Sequence, residues 1–454
     1  MLSAQLTELA LWCGGRVHGG DVHIEGVSND TRQLRPGMLY VALRGERVDG
    51  HDLLQQARAA GAAAALVGRA GDSVDLPQLV VADPLHALGE LASRHRDRMP
   101  ARVVGITGSN GKTTVKTLAA SILSQVAPTH ANPGNRNNEI GLPLAVLDIT
   151  PEHRFAVLEM GAGKPGDIAY LAQIAQPEVA LVNNIACAHL ERMGSLDGVA
   201  DTKGMIYEGL PAEGAAIINA DDAFAEAFAR RVSARRILRF GLDAEDVDIR
   251  ATGIELGETS RFTLHTPAGP IAVELPLPGR HNIGNALAAA AVAVALDVPL
   301  SAIRDGLGAA SGVAGRFRLL QQPGGYALVD DTYNANPGSV AAAIRTLVTL
   351  PGEPWLVLGD MGELGPDSEA LHAGTGSLAR QAGIARLFTV GTLSRAASEA
   401  FGADGRHFDN RDALVAVLRE SLKPGVICLV KGSRSAGMEQ VLAELTTGGR
   451  EHAA

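Results

Sequence analysis

Cysteine is almost absent from this chain of 454 residues: Cys13, Cys187 and Cys428 lie far apart with no C-x-x-C spacing. Such a pattern supports neither a disulfide framework nor a zinc site, and it suits a reducing cytoplasm. An excess of positive charge is missing too, with Lys+Arg 40 against Asp+Glu 50 and a net charge of −10. A phosphate backbone is held chiefly by Lys and Arg, so this balance argues against a general nucleic-acid binder while leaving room for local basic sites. Apolar runs long enough for a bilayer are lacking as well, the alanine-rich stretch from Ala286 to Leu296 being too short. The N-terminus MLSAQLTELALWCGGRV has no basic leader ahead of a sufficient apolar run, and it reads as an amphipathic helix ending at Gly14-Gly15. The expectation is a soluble cytoplasmic protein with no membrane span.

What is present suffices for several cores. Hydrophobic residues make up 46% and charged residues 20%, the balance of a globular protein, although aromatics are scarce at 4%. The length is three times the roughly 150 residues that serve as a prior for one domain. From Arg102 onward short β-like runs alternate with helical stretches, which predicts parallel sheets covered by helices, an α/β fold. Strands are expected at Val103 to Ile106, Phe155 to Leu158, Val179 to Val182 and Ala215 to Ile218, with helices at Thr113 to Gln125, Asp167 to Ala175 and Leu196 to Glu208. Between about Arg236 and Leu275 the pattern becomes short and alternating, as in a small antiparallel sheet, before a helix at Ile283 to Leu296. A second βα series runs from Tyr326 to Val430, and shorter strands with a helix fill the first hundred residues. Three domains are expected: a small α/β domain over 1–100, a central domain over 101–314 and a Rossmann-like domain over 315–454.

The strongest motif is the loop Thr107-Gly108-Ser109-Asn110-Gly111-Lys112-Thr113-Thr114, placed between a strand and a helix as a P-loop requires. Glycines let backbone N–H groups converge on phosphate oxygens, the helix N-terminus adds its dipole, Lys112 neutralises charge and the Thr113 hydroxyl can ligate Mg²⁺. The spacing departs from G-x-x-x-x-G-K-[ST], because Ile106 stands five residues before Gly111. A chance glycine-rich turn is the competing explanation; the order strand, loop, Lys-Thr, helix favours nucleotide binding.

Ligands of open α/β sheets bind beyond the carboxyl ends of the strands. Glu159 ends one expected strand, and His189 follows another through Asn183-Asn184. A carboxylate and an imidazole there suit a divalent cation, but a turn cap and a packed loop histidine explain them equally. Lys203 reads as a solvated helix lysine, and Asn282 as the N-cap of the helix after it. Arg316, at the junction before the last domain, suits either a γ-phosphate or a junction salt bridge. In Asp330-Asp331-Thr332-Tyr333-Asn334-Ala335-Asn336-Pro337 the final Asn-Pro is a helix cap followed by Pro at the first turn.

Several phrases coincide with a known family. SNDTRQLRPGMLYVALRGERVDGH (Ser28 to His51), TGSNGKTT, GNRNNEIGLP, LEMGAGKPGDI, NNIACAHLERMGS, DTKGMIYEGL and GRHNIGNALAA resemble the Mur ligases of peptidoglycan synthesis and their folate-polyglutamylating relatives. DDTYNANPGS, LGDMGELG (Leu358 to Gly365) and VKGSRSAGME resemble more particularly the branch that adds D-alanyl-D-alanine to UDP-N-acetylmuramoyl-tripeptide. The resemblance spans nearly the whole chain; Arg136 departs from it, standing where an apolar residue is expected.

The resemblance implies an ATP-dependent ligase that forms an acyl phosphate from the tripeptide carboxylate and passes it to the dipeptide amine. It implies that Gly108, Ser109, Asn110, Gly111, Lys112, Thr113 and Thr114 bind ATP. Thr113, Glu159, His189 and a CO₂-carbamylated Lys203 would hold two Mg²⁺. It further implies Asn282 at adenine, Arg316 at the γ-phosphate and Asp331 near the ribose. Asp30, Thr31 and Arg32 would hold the UDP group, Asn137 and Asn138 would line the muramoyl-peptide site, and Lys431, Ser433 and Arg434 would meet the dipeptide. Lys112, Lys203, His189 and Arg316 are the residues expected to act in catalysis, in a monomer of the bacterial cytoplasm. Another Mur ligase or a folylpolyglutamate synthase is the rival enzyme. A P-loop regulatory protein is the rival of another class, and the guanine signature N-K-x-D is absent.

Overall fold

The computed structural model describes residues 1–45, 47–71, 73–186, 190–232 and 236–447. A nine-stranded sheet occupies the middle of the chain, a six-stranded sheet its last third, and a five-stranded sheet with a two-stranded ribbon its beginning. Residues 3–5, expected at the start of an amphipathic helix, instead form a strand paired with His23–Glu25, and the helix is confined to Leu6–Trp12. Among the described residues no helix is long and apolar enough to cross a membrane.

Strand Arg102–Thr107 (RVVGIT) lies inside the nine-stranded sheet, between Val179–Val182 and Phe155–Glu159, all parallel. Its side chains alternate between two cores, as the two-residue period of a strand demands. Val103 packs with Ala156, Leu158 and Ala180 on one face, and Val104 and Ile106 with Val157, Val179 and Leu181 on the other. Burial on both faces explains why these strands read as continuous apolar runs. The chain passes from this strand outward to Thr129–Ala131 and Phe155–Glu159 on one side, then returns to build Val179–Val182 and its successors on the other. That reversal makes the carboxyl end of Arg102–Thr107 a topological switch point, where a crevice opens.

The antiparallel strands Ile249–Glu255, Ser260–Thr266 and Gly269–Leu275 are not a detached unit. They continue the same sheet past Arg236–Gly241 as its far edge. Helix Arg280–Ala295 crosses the sheet beside helix Lys112–Ser124, and its alanines are buried nearly all round, which lets the two helices approach closely. Its N-cap is Gly279, without a side-chain cap bond; Asn282 therefore lies inside the first turn, contrary to the expected N-cap role.

The six-stranded sheet runs Arg318–Gln321, Ala327–Asp331, Val426–Lys431, Glu353–Gly359, Arg386–Val390, Gly405–Phe408, parallel except for the first. Three of its strands end in Asp331, Gly359 and Lys431 at one edge. Helix Pro337–Leu347 starts there with Asn336 as N-cap in a full capping box with Ser339 and with Pro337 in the first turn, as expected.

Candidate active site

Gly108 (φ 149°) and Gly111 (φ 79°) bend the loop after Arg102–Thr107 into the switch-point crevice. A Cβ at Gly111 would run into the amides of Asn183 and Asn285, so both conformation and space require glycine there. The adjoining strand supplies Asn183 and Asn184, which clamp the loop. Asn110 N donates to Asn184 Oδ1 at 2.8 Å, Asn183 and Asn184 each donate to Asn110 O at 3.0 and 3.1 Å, and Asn183 Nδ2 also reaches Asn285 Oδ1 at 3.0 Å. Asn285 in turn donates to Asn282 Oδ1 at 3.2 Å, and Asn282 Nδ2 to Pro278 O at 2.8 Å. One network of side-chain amides thus lines one side of the crevice without any formal charge.

The charged side is built on Glu159, which is 2% exposed and lies opposite Ile106 in the strand register. The Thr113 hydroxyl donates to its Oε2 at 2.9 Å and Asn137 Nδ2 to its Oε1 at 2.7 Å. Lys116, one helical turn beyond Lys112, stands 3.5 Å from Oε2 and also donates to Asn132 O at 2.8 Å and Gly134 O at 3.0 Å. Lys112 Nζ folds back onto Gly108 O at 2.7 Å. Burial pulls the pKa of Lys112 below its ordinary value, and Arg316 adds to that shift while Glu159 opposes it. Three cations around one carboxylate leave positive charge in excess, a suitable field for a polyphosphate. Thr113 and Glu159 are hard oxygen donors side by side, and Mg²⁺ is ordinarily held by one or two carboxylates together with substrate phosphates. Those two residues fit such an ion.

Lys203 is 1% exposed, in helix Leu196–Gly204, so the solvated reading is wrong. Burial drives its pKa well below the ordinary lysine value, and the Lys112 charge adds to this while Asp167 opposes it. Among the described residues it forms no ion pair. His189 lies outside the described residues.

Arg316 arrives from a strained junction, between Gly315 (φ 74°) and Phe317 (φ 51°). Its guanidinium stacks 3.9 Å over the Tyr333 ring, and Nη2 donates to the Thr113 hydroxyl at 3.3 Å. Among the described residues it makes no junction salt bridge, the structural alternative left open by the sequence. Phe317 N donates to Asp331 Oδ1 at 3.2 Å, and Lys431 Nζ to Asp331 Oδ2 at 2.6 Å and to Asn334 O at 2.9 Å. Asn336 Nδ2 closes the crevice onto the loop through Asn110 Oδ1 at 2.8 Å.

Two cavities meet along this seam. One, of about 300 Å³, is bounded by Asn110, Thr114, Asn282, Phe317, Asp331 and Lys431 among others. The second, of about 750 Å³, is bounded by Lys112, Asn137, Asn138, Glu159, Ser433 and Arg434 among others, and Arg316, Asn334 and Asn336 belong to both. Lys431 therefore faces the first cavity, beside Asp331, and not the second with Ser433 and Arg434. Asp30, Thr31 and Arg32 lie outside both cavities, on a turn where Arg32 grips Asp30 through Nε and Nη2 at 2.9 Å each and holds its carboxyl down at about 2. Arg136, the departure noted in sequence, donates to Gln33 Oε1 at 2.7 Å and so ties that turn to the loop carrying Asn137 and Asn138. Sequence reasoning missed Lys116, Asn132 and Asn285 and saw Asn183-Asn184 only as a connection to His189. The position of that pair at a strand end beside the glycine loop was the available signal.

Known proteins resemble the chain throughout. Residues 23–96 match the family model described as Mur ligase family, catalytic domain, 106–293 the Mur ligase middle domain, and 315–434 the Mur ligase, glutamate ligase domain. The UDP-N-acetylmuramoyl-tripeptide--D-alanyl-D-alanine ligase of Escherichia coli (strain K12) is 47% identical over 452 residues, 99% of this chain and 100% of the relative. Among solved structures, MurF from Acinetobacter baumannii superposes with a TM-score of 0.92 at 36% identity, covering 98% and 99% of the two chains. MurF ligase from Thermotoga maritima in complex with ADP gives 0.82 at 29% identity, covering 94% and 99%.

Proposed function

The chain belongs to the Mur ligase family, and from that premise we propose how its residues carry out the ligase reaction. It is an ATP-dependent ligase joining D-alanyl-D-alanine to UDP-N-acetylmuramoyl-tripeptide in peptidoglycan synthesis. The observation that carries the residue assignment is the seam at Arg316, Asn334 and Asn336, where the nucleotide cavity opens into the larger one. An attacking carboxylate and a γ-phosphate would meet there. We assign 1–100 to the UDP end of the substrate through Asp30, Thr31 and Arg32, 101–314 to ATP, and 315–454 to the dipeptide.

Lys112 leaves Gly108 O for the phosphates, the P-loop N–H groups orient them, and Arg316 moves from the Thr113 hydroxyl to the transferring phosphoryl group. Asn282 meets the adenine, and Asp331, fixed by Lys431 and the Phe317 N–H, meets the ribose. Asn137 and Asn138 orient the tripeptide so that its carboxylate faces the γ-phosphate, and Ser433 and Arg434 present the dipeptide. Closing the seam keeps water from the acyl phosphate. Two Mg²⁺ would be held by Thr113, Glu159, His189 and Lys203, supplying charge neutralisation. Burial shifts Lys203 toward the neutral amine, the form that reacts with CO₂; the product carbamate, formed with release of a proton, makes the side chain an anionic oxygen ligand. A monomer in the bacterial cytoplasm, where ATP is available, completes the reading.

Phosphate release from ATP, measured with each substrate omitted in turn, tests the assignment: release independent of either the UDP-tripeptide or the dipeptide would refute it. For the carbamate, Lys203→Ala is expected to be inactive, to regain activity with short-chain carboxylates, and to lose a carbamate signal that ¹³CO₂-equilibrated wild type shows by ¹³C NMR. Wild-type activity of the variant without additive would count against it.

A further inference from the structure

The reaction as described uses Asn137 and Asn138 and leaves Glu139, the next residue in the chain, without a task. The loop that carries it is held from three sides. Lys116 Nζ donates to Asn132 O and Gly134 O, Arg136 reaches Gln33 in the first hundred residues, and Gly161 N donates to Asn137 O at 2.8 Å. Asn137 Nδ2 is given to Glu159, and Asn138 Oδ1 accepts from Gly141 N at 2.9 Å at the start of helix Gly141–Leu147. Both asparagines are anchored by their own side chains, so the place of Glu139 between them and the helix is fixed by the fold.

Among the described residues, the carboxylates that bound the larger cavity are Glu139, Glu159, Asp167 and Glu363. Glu159 accepts from Thr113 and Asn137, Asp167 from Gly163 N and Lys164 N at 2.8 and 3.0 Å, and Glu363 is engaged as well. Among the described residues nothing donates to the Glu139 carboxylate, and no cation comes within ion-pair reach of it. Lys164 and Arg192 bound the same cavity, likewise without an ion pair among the described residues. A carboxylate and two cations that face one cavity without pairing suit a ligand that carries both signs. The substrates offer two kinds of ammonium: the N-terminus of the dipeptide and, where the tripeptide ends in a diamino acid, its side-chain amine. Glu139 stands on the loop that Arg136 and Gln33 tie to the Asp30–Arg32 turn, whereas Ser433 and Arg434 close the cavity from the last third of the chain. We propose that Glu139 receives the side-chain ammonium of the tripeptide's last residue and so selects a diamino acid there, while Lys164 and Arg192 balance carboxylates of the same peptide. The inference rests on the reading of Asn137 and Asn138 as the muramoyl-peptide site.

Two matched pairs of UDP-muramoyl-tripeptide test it, one ending in lysine or norleucine, the other in 2,6-diaminopimelate or 2-aminopimelate. The members of each pair differ only in the side-chain amine. Phosphate release is followed against each of them at saturating ATP and dipeptide. Wild type should favour the amine-bearing member of at least one pair by roughly 5- to 20-fold in KM, between the worth of an exposed ion pair and that of a charge-assisted hydrogen bond. Glu139→Gln should lose that preference by a rise in KM for the amine-bearing member alone, with KM for ATP and for the dipeptide within about twofold of wild type. Glu139→Asp should keep part of it. Equal KM within both pairs in wild type, a preference that survives in Glu139→Gln, or an equal rise for both members of a pair would each overturn the proposal, the last because it marks a residue that merely holds the shape of the loop. A rise in dipeptide KM with unchanged tripeptide KM would give Glu139 to the other ammonium and overturn it too. Asn137→Ala, run alongside, separates the two readings: unchanged KM for all four tripeptides there sinks the assignment of the muramoyl-peptide site, whereas a raised KM there with no amine preference in wild type sinks only this inference.

Discussion

Replacing Lys116 by Met removes a buried ammonium and keeps an unbranched side chain of similar length. Lys116 is 5% exposed. Its Nζ serves two carbonyls, Asn132 O and Gly134 O, and stands 3.5 Å from the Glu159 carboxylate. Hydrogen bonds to a charged group contribute roughly 1.5–3 kcal/mol each, and removing one partner of a buried ion pair costs roughly 3–5 kcal/mol. These contributions are not summed, because a single ammonium makes all three contacts. Gly134 is exposed, so water replaces that donor. Thr113 and Asn137 go on donating to Glu159, which limits the electrostatic loss. A destabilisation of about 3–4 kcal/mol is the result. Urea titration measures it, as the free energy of the transition that ADP shifts to higher denaturant. The loop from Asn132 to Asn138 loses its inner anchor at the same time, so KM for the UDP-tripeptide should rise more than KM for ATP. A loss under about 1 kcal/mol would refute the reasoning, since that is the cost of removing a solvated lysine, not a buried one.

Two further outcomes are expected. Gly111→Ala meets both a positive φ and the Asn183 and Asn285 amides; strain and overpacking of about 3 kcal/mol lower kcat/KM for ATP by roughly 100-fold, and an activity within a factor of about three of wild type would show that the loop is not held as described. His130 is held at a pKa of about 4, first by burial and then by the nearby His153. The unfolded chain, with an ordinary histidine pKa near 6.5, takes up this proton first, so stability present above pH 6.5 is lost as pH falls toward 4, by an amount on the order of 3 kcal/mol. His130→Asn should flatten that part of the stability profile, and identical pH slopes for the two proteins would contradict it.

The strand, glycine loop and helix from Arg102 to Ser124 could be read from sequence because their signals are all local, and the Asn336-Pro337 cap for the same reason. Lys116 and Lys203 could not, because the burial of a helical lysine depends on partners brought in by distant strands; Glu159 lies 43 residues beyond Lys116. Asn282 misled in the opposite way. A helix start was sensed correctly, but its first turn begins at Arg280, and the asparagine side chain is turned into the amide network instead of onto its own backbone N–H groups. The alternating strands after Arg236 were recognisable as antiparallel, while their attachment to the parallel sheet rests on the pairing of Phe240 with Ile249, which no local pattern encodes.

Asn336 uses one oxygen to cap its own helix and the nitrogen of the same amide to reach Asn110. Its rotamer is therefore frozen before the two parts of the chain come together. Ordering a free side chain at such a contact ordinarily forfeits entropy; here that loss is already absorbed in forming helix Pro337–Leu347. Closure of the seam can thus begin from a contact whose geometry is set in advance, and fraying of that helix would loosen the cleft from a distance.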